Sequence, residues 1–291
     1  MSIAHHFSSV KHTQRHRTTQ NSRLWTSMVE YIARTCLQLS NRAIVEENVS
    51  HVKQSEQVIR VMENNGGYAT LGYLYQNVDV KDWKTKTPFA SIRRIVQDNR
   101  FFFKIRPGLW ALNDYREKVL QKFDLSTGEN KQENLFNHTY YQGLIVEIGN
   151  LKNFETHVPN QDKNRLFLER PLKEVSSLQN IYEFSYPTIV RRASTIDVIW
   201  FNHRKLPYAF FEVEHSTDFQ NSLGKYADLQ DFNSKFFLVC PIEKKRKFED
   251  VIEIDIFKEI KNKVQFVDYD YISNLHTKTV EIVELQKTIK L

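Results

Sequence analysis

The sequence is poor in the residues that staple small domains and cradle nucleotides. Two cysteines, Cys36 and Cys240, are all it contains in 291 residues, and they sit in unrelated contexts. No disulfide framework and no paired-cysteine zinc site can be built from them, and two reduced thiols are expected of a cytoplasmic protein. Only 8 glycines are present and none forms a phosphate-binding loop, which argues against an ATP-driven translocase. No stretch approaches the roughly 20 apolar residues needed to cross a bilayer, and the first residues lack the apolar core of a secretory signal, so no membrane association is expected.

What is there suffices for substantial cores, since 41% of the residues are hydrophobic and 13% aromatic. The net charge of +6 is unevenly placed: residues 1–112 hold 16 Lys and Arg against 8 Asp and Glu, whereas residues 113–291 hold 25 against 27. A basic front half suggests contact with a polyanion, and the back half supplies carboxylates.

Residues 1–52 read as a polar arm, with His5, His6, His12 and His16, followed by a helix over 22–39. Residues 53–112 read as a helical unit closed by a hairpin. A first helix stops at Asn64, Asn65, Gly66 and Gly67, and a short second one covers 71–76. The third starts with Thr87 as cap and Pro88 in the first turn, and runs to about Asn99. Strands over 101–105 and 109–112 flank the turn Arg106-Pro107-Gly108. Three helices and a hairpin make a winged-helix arrangement, whose third helix enters the major groove. The candidate DNA contacts are Lys84, Lys86, Ser91, Arg93 and Arg94 on that helix and its approach, with Lys104 and Arg106 on the wing. Residues 113–136 read as a polar linker containing a short helix.

From 137 to 291 an amphipathic helix over 138–151 precedes alternating strands and helices. The strands fall at 155–158, 195–201, 208–214, 235–240 and 264–267, with helices near 217–231 and after Lys244. The expected architecture is a mixed α/β sandwich. Its most informative segment is IDVIWFNHRKLPYAFFEVEHS, residues 196–216. Side chains alternate along a strand, so Glu212 and Glu214 share one face while Phe211 and Val213 take the other. Hairpin pairing through 202–207 would bring Asp197 beside Glu212. Clustered buried carboxylates are costly without a cation, and an all-oxygen set favours Mg2+. Asp197, Glu212 and Glu214 are therefore the candidate catalytic and metal-binding residues. Glu147 on the preceding helix is a further catalytic candidate. Ser216 and Lys225 are candidate DNA contacts; Lys225, and Asp162 with Lys163, are the weaker candidates for the site. His215, Ser216 and Thr217 read equally as phosphate contacts or as the cap of the next helix.

Two resemblances accompany these readings. The segments QVIRVMENNGGYATLGYLYQNV and TPFASIRRIVQDNRFFFKIRPGLWAL resemble the HARE-HTH winged helices, which implies a DNA-directed role. Residues 137–270 resemble the PD-(D/E)XK nuclease superfamily, with Asp197 at the first acidic position, Glu212 at the second, and Glu214 where a lysine usually stands. Together they imply a Mg2+-dependent restriction endonuclease acting on duplex DNA as a homodimer. A winged helix of this kind beside such a nuclease also resembles the methylcytosine-dependent restriction enzymes, which implies modified DNA as one class of target. The absent lysine keeps a second reading open, an inactive DNA-binding regulator that dimerises through its nuclease-like part. A repair or RNA-processing nuclease on the same fold is a third.

Overall fold

A computed structural model describes residues 53–126, 130–215 and 219–289. The arm and helix expected within residues 1–52 lie outside that range, as does Ser216. Helix α1 (Gln54–Asn64) buries Val58 and Met62, one turn apart, and ends where Gly66 and Gly67 adopt φ of +78° and +92°, values that favour glycine. Strand β1 (Tyr68–Thr70) follows, and the Thr70 hydroxyl accepts the Tyr73 amide to cap α2 (Leu71–Asn77). Pro88 opens α3 (Pro88–Ile95), but the Thr87 side chain makes no capping hydrogen bond. This helix stops four residues short of the expected Asn99. Its end tightens as the Gln97 and Asp98 amides turn back to the carbonyls of Arg94 and Ile95, three residues behind. Strands β2 (Phe102–Arg106) and β3 (Leu109–Leu112) complete a small sheet of order β1-β3-β2.

Residues 113–136 are more helical than their polarity suggests. They contain α4 (Arg116–Lys122) and the start of α5 (Asn130–Leu151), which begins eight residues before the expected position. Strand β4 (Glu155–His157), the short pair β5 (Leu166–Phe167) and β6 (Arg170–Pro171), and helices α6 (Leu172–Val175) and α7 (Pro187–Ala193) follow. Next come β7 (Val198–Phe201), β8 (Pro207–Val213), α8 (Phe219–Ala227), β9 (Lys235–Cys240), α9 (Lys245–Ile252), β10 (Val264–Asp268) and α10 (Tyr269–Ile289). The main sheet has the order β10-β9-β8-β7-β4, with β8, β9 and β10 parallel and the β7 pairings antiparallel. Parallel neighbours need crossovers, and α8 and α9 lie in those connections. The fold is therefore mixed α/β, as the strand and helix pattern implies.

Alternation along β7 and β8 divides the core into two layers. Val198, Trp200, Phe211 and Val213 pack with Tyr141, Leu144 and Ile145 of α5, and Ile272 of α10 belongs to the same cluster. Ile199, Phe201 and Phe210 pack with Phe219 and Leu223 of α8 and with Phe248 of α9.

Helix α10, whose 21 residues the sequence pattern did not reveal, joins the front and back of the chain. A Cβ on Gly72 of α2 would stand 2.7 Å from His276 of α10, so glycine sets the approach of these helices. Arg93 of α3 pairs with Glu281 of α10 at 3.0 Å. The Pro107 carbonyl at the hairpin tip accepts from Tyr140 of α5 and Ser273 of α10. Residues 54–291 accordingly form one compact unit.

Gly72→Ala is expected to destabilise the protein by about 1–3 kcal/mol in urea unfolding, through overpacking against His276. Gly224→Ala is its control: among the described residues its added Cβ would meet only Arg192 Nη2 within 4 Å, at 3.8 Å, and relief of helical glycine should stabilise by up to about 1 kcal/mol. Equal responses at both positions would refute the close approach of α2 and α10.

Candidate active site

The register of β7 and β8 sets the site. Val198 pairs with Phe211, so the next step places Asp197 opposite Glu212. Phe211 and Val213 face α5, whereas Glu212 falls on the α8 side with Phe210. Asp197 and Glu212 are 6% and 4% exposed, which makes their solvation the main energetic problem of the fold at this point. Asp197 Oδ2 accepts the Val213 amide at 2.7 Å, and the Asp197 amide reaches Glu212 Oε1 at 3.4 Å.

Helix α8 supplies the main compensation for Glu212. Ser222 and Lys225, one turn apart, both reach Glu212. Lys225 Nζ donates to both Glu212 oxygens, at 2.9 and 2.8 Å, and to the Thr195 carbonyl at 3.1 Å. The Ser222 hydroxyl lies 3.4 Å from Glu212 Oε2 and 3.2 Å from Glu214 Oε2. Asp197, Glu212, Glu214 and Lys225 line one pocket of about 370 Å³, together with His138 and His215.

Helix α5 approaches from the other layer with His138 and Gln142, again one turn apart. His138 Nδ1 lies 3.0 Å from the Val213 carbonyl and must be the donor, since that oxygen can only accept. Nε2 then faces Asp162 Oδ2 and Asp197 Oδ1, each 3.7 Å away. Gln142 Nε2 donates to Asp162 Oδ2 at 3.1 Å and to the Asp197 carbonyl at 2.8 Å. Arg165 pairs with Asp162 at 3.0 Å. Donor atoms of His138, Asp162 and Asp197 all lie within 4.8 Å of one another.

The electrostatics record an excess of negative charge. Burial and the neighbouring Asp197 push the Glu212 carboxyl up to about 8, although Lys225 opposes them. Burial likewise raises Asp197. Burial alone would lower His138, but Asp197 and Asp162 outweigh it and lift the imidazole to about 9. A hard divalent cation fits this donor set. Asp197 Oδ1 has no hydrogen bond among the described residues, and the local cations leave the carboxylates under-compensated.

The remaining sequence candidates fall elsewhere. Glu147 lies nine residues beyond His138, about two and a half turns at 3.6 residues per turn, and so on the opposite face of α5. It pairs there with Arg170 at 3.1 Å and His276 at 2.9 Å, and is not brought to the pocket. Arg93 is occupied by Glu281 and the Tyr75 hydroxyl, and Arg106 by Glu133, Asn137 and the Ile105 carbonyl. Neither points freely outward as a groove contact would. Ser91 Oγ turns to the Thr87 carbonyl at 3.4 Å, and Lys163 Nζ to the Gln179 carbonyl. Lys84, Lys86, Arg94 and Lys104 are exposed. Lys225 is turned inward, its side chain 12% exposed. His138 and Ser222 were not singled out from the sequence, because a lone His or Ser on a helix carries no spacing signal.

Stability should depend on pH in the metal-free protein. Glu212 is raised from an ordinary 4.5 to about 8, so between those values the native state holds a proton that the unfolded chain has lost. Stability is then full below about 4.5 and falls as pH rises through 8. His138, raised from 6.5 to about 9, acts in the same direction over the upper part of that window. Melting of the chelator-treated protein across pH 5–9 is expected to show this decline, and Glu212→Gln to flatten it; a melting temperature that rises with pH in wild type would refute the assignment.

Comparison with known proteins agrees with the back half of this picture. Over 150 residues the chain is 25% identical to the type II restriction enzyme NmeDI of Neisseria meningitidis serogroup C, covering 48% of this chain and 42% of that protein. The match therefore spans less than half of that relative's length. No solved structure matches. The family model described as the type II restriction enzyme NmeDI C-terminal domain matches residues 111–289, well over half of the sequence and all of the pocket, and the chain belongs to that family.

Proposed function

We propose that this protein is a Mg2+-dependent DNA endonuclease of the restriction type, built on a PD-(D/E)XK-like sheet and hydrolysing phosphodiester bonds in duplex DNA. The observation that carries this reading is the buried pair Asp197 and Glu212 with Lys225 bound to both Glu212 oxygens. On this reading Lys225, from α8, supplies at Glu212 the ammonium of the lysine that Glu214 replaces in the sequence. A pocket with that triplet does the work of the motif whichever element carries the cation.

Asp197 Oδ1 and the Glu212 carboxylate are the groups that would hold the dication, which supplies Lewis acidity at the scissile phosphate and a more acidic water. Lys225 orients Glu212 and would place positive charge near the negative charge that develops on the phosphoryl oxygens. His138 fixes the Val213 carbonyl and keeps its other nitrogen toward Asp197, which holds the strand ends in register. Glu214 shares Ser222 with Glu212 and is the carboxylate proposed to take the proton from the attacking water. Cleavage of the P–O3′ bond would leave a 5′-phosphate.

Residues 53–112 serve, on this reading, as a winged helix that holds the duplex. Lys84, Lys86, Arg94 and Lys104 are its proposed phosphate contacts, being the exposed members of the basic set. The hairpin tip is packed on α5 and α10, so the wing is not proposed to enter a groove. Cutting both strands takes two centres, which a homodimer on DNA would supply.

With Mg2+, the purified protein is expected to convert plasmid into discrete fragments, assayed on unmodified and on 5-methylcytosine-containing DNA to separate the two target classes. Glu212→Gln and Lys225→Met should each lower cleavage by about 10²-fold or more while duplex binding stays within a few-fold. Binding without cutting under every metal and methylation state would overturn the nuclease in favour of a regulator. Lys84→Ala with Lys86→Ala should weaken binding across all sequences and reduce its salt dependence by about one unit of slope per lost phosphate contact. An unchanged salt slope would remove these lysines from the interface.

A further inference from the structure

A second cavity, of about 570 Å³, shares none of the residues that line the candidate active site. It is lined by Asn160, Asn180, Glu183, Ser185, Arg191 and His157, with a few apolar side chains between them. Asn160, Asn180, Glu183 and Arg191 are exposed and Ser185 is half-buried, and their side chains have no hydrogen bond or ion pair among the described residues. His157 is 3% exposed, and its Nδ1 is buried without a partner among the described residues. An unmet buried nitrogen is costly and rare in a finished structure, and a ligand or water at the cavity floor would satisfy it. Burial and the Lys163 charge lower this imidazole to about 4, so it is neutral and offers both a donor and an acceptor near neutral pH.

The position ties the cavity to the reaction site. His157 pairs with Ile199 across β4 and β7, two residues from Asp197 on the same strand face. Beyond His157 the chain runs directly to Asp162, which faces His138. The other wall, at Ser194, adjoins Thr195, whose carbonyl accepts from Lys225. Both walls thus continue into the pocket proposed to hold the scissile phosphate. On the nuclease reading, a cavity whose walls adjoin the residues of that pocket is turned toward the nucleotides flanking the cut.

The lining chemistry selects among ligands. Arg191 and Glu183 are the one cation and the one carboxylate of the lining, and the nearby Lys163 ammonium is engaged by the Gln179 carbonyl, so the lining itself carries no net positive charge to draw a phosphate. Its amides, carboxylate, guanidinium and hydroxyl are the groups that pair with base edges: amides with adenine, guanidinium with guanine, carboxylate with the cytosine amino group. Ile181, Pro187 and Val190 supply apolar surface for a flat ring. We propose that this cavity receives the edge of a nucleobase flanking the scissile phosphate and sets the sequence preference of the enzyme. The proposal rests on the nuclease reading for its substrate.

The test uses the full chain and a duplex library randomised around a fixed core, selected for binding with Ca2+ and sequenced. Wild type is expected to enrich a defined site. The double variant Asn160→Ala/Asn180→Ala, and separately Arg191→Ala, should lose roughly 10-fold or more of the discrimination at one or two adjacent positions, with affinity for random duplex within about two-fold. Variants that keep the wild-type preference at every position overturn the proposal, as does a wild type that shows no base preference. Selection does not require cleavage, so the two readings fail separately. A plasmid digested by wild type with an unaltered preference in the variants removes the cavity's role and leaves the nuclease. Enrichment that depends on the cavity, with no cutting under Mg2+, removes the nuclease and leaves base recognition.

Discussion

Two carboxylates carried into the interior on neighbouring strands impose the constraint to which the surrounding structure answers. Asp197 and Glu212 occupy positions that the alternation of β7 and β8 sends toward a helix layer, where apolar side chains would otherwise pack. Leaving them uncompensated would cost several kcal/mol, more than most single contacts return. The compensation comes from both sides of the sheet. Helix α8 brings Lys225 and Ser222, while α5 brings His138 and Gln142, each pair one turn apart. Placement of two helices is thus coupled to two acidic side chains, although hydrophobic burial supplies most of the packing energy. The compensation is incomplete, as the raised Glu212 and Asp197 show. An arrangement that serves stability alone would have apolar residues there; one that keeps strained acids is suited to taking up a cation.

The front of the chain answers to a different requirement. A hairpin tip with a positive-φ Gly108 could project into solvent, yet Pro107 is held by Tyr140 and Ser273, and a Cβ on Gly108 would stand 3.3 Å from Ser273. Arg93 and Arg106 serve this docking. Their guanidinium groups bind carboxylates of α10 and α5, the planar fork that suits arginine to such partners. The basic surplus read from the sequence is therefore divided. Part of it joins the two halves of the unit, and the exposed remainder, with Lys84, Lys86, Arg94 and Lys104, is free to meet a polyanion.

Local patterns made much of this legible in advance. Period-two alternation placed β7 through β9 within a few residues, and the same rule put Asp197 beside Glu212. Gly66 and Gly67 marked the end of α1, and Pro88 the start of α3. What could not be read was partner choice. Arg93 and Lys225 look alike as basic residues on short helices, and only the element packed against each decides whether it meets solvent or a carboxylate. Helix α10 was missed because its polar positions, Ser273, His276, Thr277 and Thr279, are buried, so its apolar stripe is broken just where it packs. Glu147 was misplaced for a rotational reason. Its helix does pass the site, but at the level of His138 and Gln142, and nine further residues turn a side chain to the far face.

The position of the lysine is the clearest case of chemistry specified in space while sequence spacing points elsewhere. A strand places residues 212 and 214 on one face about 7 Å apart, at roughly 3.4 Å per residue, so a lysine at 214 would have to fold back to reach Glu212. From α8, which crosses beside the same strand, Lys225 approaches Glu212 end-on and bonds both oxygens while also taking the Thr195 carbonyl. That geometry frees position 214 for a second acidic group next to the first. Glu214 remains close enough to share the Ser222 hydroxyl with Glu212, so the face gains a carboxylate without losing its ammonium. On the proposed nuclease reading, the departure from the acidic-x-lysine spacing keeps the ammonium at Glu212 and adds a carboxylate beside it, and a decaying site has no physical reason to hold a largely buried lysine with three hydrogen bonds on a different element.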